Sequence, residues 1–125
     1  MTAKLRHSDR EAYVTRDGST VLELVHPGFS SARAQSLAEA RVAPGGETAE
    51  HFHRQAEEIY CFTSGRGQMR LGAEEFEVGA GESVVIAPGV RHKLWNEGEE
   101  ELRLLCCCAP AYSHEDTVLT EPDRG

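Results

Sequence analysis

Glycine and proline turns cut this chain, from Gly18 onward, into short runs of β-type residues, and no other feature limits its fold as strongly. Thr20–Val25 reads as a strand ending at His26-Pro27-Gly28. Gln35–Val42 alternates as a second strand, although its Ala and Glu content would also suit a helix, and Ala43-Pro44-Gly45-Gly46 stops it. Glu58–Phe62, Gln68–Leu71 and Glu74–Val78 follow as a meander, parted by Ser64-Gly65-Arg66-Gly67 and Gly72-Ala73. Ser83–Ile86 lies between Gly79-Ala80-Gly81 and Pro88-Gly89. His92–Asn96 and Leu102–Cys107 flank the acidic turn Glu97-Gly98-Glu99-Glu100, a solvated hairpin tip. Such short strands suit a sandwich or closed barrel, which leaves few open sheet edges.

A length of 125 residues makes one domain. The pattern predicts a β-barrel over residues 18–109, an N-terminal arm over 1–17 and a C-terminal tail over 110–125. Thirteen Lys and Arg against twenty-one Asp and Glu leave a net charge of −8, which argues against nucleic acid or an anionic membrane surface as partner. The polar start lacks a signal-peptide apolar region, so a soluble cytoplasmic protein is expected. Cys61 and the run Cys106, Cys107 and Cys108 make a poor disulfide framework, because neighbouring strand residues point to opposite faces. They read as small hydrophobes in a reducing compartment.

The chemistry lies around His51-Phe52-His53. Two histidines one residue apart project to the same face of an extended backbone and can offer adjacent corners to one metal ion. An isolated pair of this kind is more often merely packed, but here a glutamate stands at strand-crossing distance and His92 follows a Pro-Gly turn. Three imidazoles and a carboxylate suit Mn, Fe, Co, Ni, Cu or Zn rather than calcium or magnesium. Glu57 and Glu58 compete for the carboxylate role. Glu58 shares its face with Tyr60 and Phe62, the larger aromatics, and is preferred. His92, Leu94 and Asn96 share a second inward face, which leaves Lys93 and Trp95 outside, with Trp95 available to a subunit contact.

Taken together, these residues resemble the cupin family. Its first motif (Gly, five residues, His-x-His, three or four residues, Glu, six residues, Gly) is met by Gly45, His51, His53, Glu58 and Gly65. Its second is met by Gly81, Gly89, His92 and Asn96, with Pro88 one position late. The resemblance implies an all-β fold, a small antiparallel β-barrel of jelly-roll type. It also implies a divalent transition metal held by His51, His53, Glu58 and His92, and often a homodimer.

Such a centre would serve a metal-dependent isomerase, lyase, decarboxylase or dioxygenase acting on a small oxygen-rich substrate such as a keto or hydroxy acid or a sugar. The alternative is a binding or sensing module without turnover, since the family contains both. Tyr60, Phe62 and Leu94 are expected in the substrate pocket, with Tyr60 the candidate proton donor. Arg70 is expected in solvent, or as an anion clamp if its strand parity is inverted. Asn96 is expected to satisfy backbone at a strand end. His7 and His26 read as surface residues, and His114 as part of a solvated tail that could instead fold over the barrel mouth.

Overall fold

The computed structural model describes residues 1–122. Eleven strands follow one short 3-10 turn at His7–Asp9: β1 Tyr13–Val14, β2 Thr20–Val25, β3 Ser36–Val42, β4 His51–His53, β5 Glu57–Ser64, β6 Arg66–Leu71, β7 Glu74–Gly79, β8 Ser83–Ile86, β9 His92–Trp95, β10 Leu102–Ala109 and β11 Thr117–Leu119. They form two antiparallel sheets, ordered β1-β2-β3-β10-β5-β8 and β11-β4-β9-β6-β7. The molecule is the all-β, jelly-roll barrel expected. The Ala- and Glu-rich run before Pro44 is strand β3, paired on both sides, by β2 and β10.

Alternation fixes which side chains face inward. Along β5, Glu58, Tyr60 and Phe62 are buried while Glu57, Ile59 and Cys61 are exposed. Phe62, Met69, Ile86, Leu102 and Leu104 pack between the sheets, and enclosing such side chains is the main term holding the barrel together. The glycine turns are sterically required at two places that matter here. Gly65 has φ +82°, and a Cβ there would stand 2.6 Å from the Glu101 carbonyl. Pro88 and Gly89 occupy the middle of a turn closed by the Val90 amide on the Ala87 carbonyl, with Gly89 at φ +81°. That is a type II arrangement, in which proline suits the first central position and glycine the second. The displaced proline therefore makes a well-formed turn, and the Gly89 amide ties it to the His53 carbonyl.

The segments flanking the barrel both contribute strands. β1 pairs with β2 at one sheet edge, and β11 pairs with β4 at an edge of the other. Among the described residues no helix is long and apolar enough to cross a membrane.

Candidate metal centre

His51 and His53 lie on β4, a strand of three residues whose two ends are both buried. His92 opens β9 directly opposite His51, and their rings stand 4.3 Å apart between centroids. Glu58 enters from β5 in the other sheet. One ligand atom from each of these four buried side chains lies within 4.8 Å of all the others.

The neighbours of each ring decide which nitrogen faces the cluster. The Nδ1 of His51 donates to the Ala49 carbonyl at 2.9 Å, and that of His92 to the Val90 carbonyl at 2.9 Å. The Nδ1 of His53 lies 3.1 Å from the Thr117 hydroxyl, which itself donates to the Ser113 carbonyl and so accepts from the ring. All three Nε2 atoms are thereby left as lone-pair donors turned toward a shared point, the usual arrangement around a bound metal. His53 Nε2 stands 3.0 Å and His92 Nε2 3.5 Å from the same Glu58 oxygen. His92 is fully buried, and its Nε2 has no hydrogen-bond partner. Two acceptors so close need a cation between them or a proton on the ring, and an unpartnered buried nitrogen is costly. The donor set fits a divalent transition metal.

Electrostatics agree. Burial pushes the Glu58 carboxyl up, yet the closeness of the His53 and His92 rings outweighs it and holds the group well below the usual carboxylate range. Burial, then the neighbouring His92, lowers His51 from 6.5 to about 4, so its ring stays neutral. The Cys108 thiol donates to the second Glu58 oxygen at 3.3 Å. Burial, followed by the Glu58 charge, raises that thiol far above its ordinary value. All four cysteines are free, and Cys108 acts as a neutral donor rather than a reactive thiolate.

A cavity opens beside the cluster. Tyr60 and Leu94 line it, as do Val21, Ala40, Val42 and Leu104. Phe62 does not: it lies behind Tyr60 in the core, 1% exposed. Burial, with the Glu58 charge, lifts the Tyr60 phenol well above its ordinary value, which makes it a neutral group. Arg70 faces outward, where its guanidinium donates to Glu50, and so clamps nothing in the cavity. Lys93 is also on the outer face but is covered there, its ammonium 2.6 Å from Glu121. Trp95 is half-buried between Arg70 and Lys93. Asn96 holds a strand end as expected, donating to the Val42 and Glu100 carbonyls and accepting from the Gly98 amide.

Asp17, Glu23, Tyr112 and Thr117 are among the lining residues that escape a reading of the sequence. Asp17 Oδ2 stands 3.9 Å from His51 Nε2. Tyr112 places its ring 6.0 Å from that of His53, and its hydroxyl meets His114 on the far side. His114 is exposed, so the tail brings Tyr112 and Thr117 to the cluster rather than its histidine. His26 is no isolated surface residue, since its Nε2 donates to the Tyr112 carbonyl and helps hold that segment.

A family model described as a cupin domain matches residues 38–108. The chain belongs to the cupin family. This cupin is 45% identical over 118 residues to the uncharacterized protein MJ1618 of Methanocaldococcus jannaschii, covering 94% of each chain. Among solved structures, it resembles the polyketide cyclase RemF of Streptomyces resistomycificus with a TM-score of 0.81 and 23% identity, over 99% of this chain and 90% of that one. It also resembles Pac13 of Streptomyces, described as a nucleoside dehydratase, with a TM-score of 0.80 and 16% identity, over 98% and 94% of the two chains. At those identities the likeness is one of fold.

Proposed function

We propose that this cupin is a metal-dependent enzyme acting on a small, oxygen-rich substrate, with His51, His53, Glu58 and His92 holding one divalent transition metal ion. The reading is carried by three buried imidazoles whose Nδ1 atoms are all engaged elsewhere, leaving three Nε2 atoms and one carboxylate around a common point. A bound divalent ion would supply Lewis-acid stabilisation of charge developing on a substrate oxygen. The chain's own groups do the rest. Leu94, Leu104, Val42 and Val21 exclude water from the cavity wall. The neutral Tyr60 phenol is placed to donate a hydrogen bond. That fold neighbours include a polyketide cyclase and a nucleoside dehydratase supports an enzyme over a passive binding module. Trp95, on the outer face of β9, remains the proposed contact of a homodimer.

Metal analysis of protein loaded separately with manganese, iron, nickel and zinc tests the centre. About one ion per chain is expected for at least one of them, with sharply reduced retention in His51→Ala and His92→Ala and none of that loss in His7→Ala. Turnover of small keto acids, hydroxy acids or sugar phosphates that disappears in Glu58→Gln would support catalysis. Saturable binding with no product would overturn it in favour of a sensor.

A further inference from the structure

Resting on the metal-centre reading above, we infer that the cavity selects substrates that present a protonated hydroxyl to the centre, and discriminates against those that offer only carboxylate oxygens. The inference comes from two carboxylates on the cavity wall, one of which has a buried oxygen without a donor. Asp17 lies in the loop between β1 and β2, where its Oδ1 accepts from the Thr15 hydroxyl and from the amide and hydroxyl of Ser19, the last two at 2.9 and 2.7 Å. Those three bonds fix the carboxylate and leave Oδ2 turned toward His51 Nε2. On the same wall Glu23 receives the Tyr13 hydroxyl at its Oε1, while its Oε2 is buried and without a partner. The unpartnered Nε2 of the fully buried His92 independently marks the adjoining cluster as a place for a ligand.

Two carboxylate oxygens with spare lone pairs can accept from an O–H, and a charge-assisted bond of this kind is among the stronger ones available. The same oxygens repel a second anion held at the cluster. Arg16, the cation among the lining residues, is half-buried and already has an interaction partner, so it does not turn the wall into an anion receptor. A hydroxy acid, a polyol or an enol meets both demands: one oxygen for the metal and one proton for the wall. A dicarboxylate meets only the first.

Glycolate and oxalate provide the test. Each chelates through two oxygens in a five-membered ring, but only glycolate keeps a proton on one of them. Both are titrated into cobalt-loaded protein and followed by the visible spectrum of the ion. Asp17→Asn keeps the acceptor that organises the Thr15–Ser19 loop and removes the free one. Glu23→Gln does the same on the neighbouring strand, and circular dichroism checks that both fold. The ratio of glycolate to oxalate affinity is expected to fall about tenfold or more in Asp17→Asn, and in the same direction in Glu23→Gln. An unchanged ratio in both folded, cobalt-loaded variants overturns the inference and leaves the metal centre standing. Wild-type protein that retains neither cobalt nor any of manganese, iron, nickel and zinc overturns the centre and the inference with it, and the two failures differ at the first metal analysis.

Discussion

At the scale of single residues, the candidate centre depends on bonds that turn each imidazole as much as on the imidazoles themselves. His51 and His92 are oriented by carbonyls two residues before them, at Ala49 and Val90, so their placement is local and any sequence that makes the same turn reproduces it. His53 differs, because its orienting acceptor is Thr117, 64 positions away. Thr117→Val keeps the shape and removes the oxygen, leaving a buried ring N–H without a partner. Metal affinity, measured by competition with a chelator, is expected to drop about 10- to 100-fold. Thr117→Ser should restore it, and equal affinity in all three proteins would show that the hydroxyl does not orient the ring. The same contrast explains what could be read beforehand. Glu58 is separable from Glu57 by strand parity alone, since Tyr60 and Phe62 mark the inward face. Asp17, Glu23 and Thr117 carry no comparable signal, because nothing in their spacing says that three distant segments converge on one cavity. Cys108 lies between these cases: it faces inward with Leu102 and Leu104, but its bond to Glu58 depends on the register of β10 against β5.

At the scale of elements, the strands bounded by glycine or proline are legible and the short ones are not. β2 and β8 lie where turn residues confine them, at Thr20–Val25 and Ser83–Ile86. β1, β4 and β11 have only two or three residues each and exist through pairing rather than propensity. β11 matters most, because the segment before it clamps the turn after β4. The Asp116 carboxylate accepts the Gln55 and Ala56 amides at 2.8 and 3.1 Å, and its carbonyl accepts the Arg54 amide at 2.8 Å. A stretch that reads as a polar tail is therefore a clasp joining the last strand to the loop between His53 and Glu58. Asp116→Ala removes two charge-assisted acceptors while keeping the backbone bond. It is expected to cost about 1–3 kcal/mol in urea unfolding and to weaken metal retention as Thr117 loosens. Asp116→Asn, which keeps one acceptor oxygen, should fall between. An unfolding midpoint identical to wild type would show that β11 holds itself in place.

At the scale of the whole molecule, placing the cluster between the sheets links barrel stability to pH. His51 is neutral in the folded protein down to about 4 but takes up a proton near 6.5 once unfolded. Below 6.5 the unfolded chain therefore binds the extra proton, and stability falls as the pH is lowered toward 4. Glu58 adds to the same trend further down. It stays ionised in the fold well below 4.5, where the unfolded carboxyl protonates, so its contribution too is present at neutral pH and lost in acid. Metal-free protein at constant ionic strength should show a melting temperature that declines from pH 7 to pH 4.5. In His51→Gln, which removes the first of these titrations, the decline between pH 6.5 and 5 should be shallower. A bound metal ion should raise the melting temperature most at pH 7 and progressively less in acid, since protons compete for the same nitrogens and carboxylate. Parallel curves for wild type and His51→Gln would show that this ring is as free to charge in the folded barrel as outside it. That result would be incompatible with its position opposite His92, closed in by both sheets.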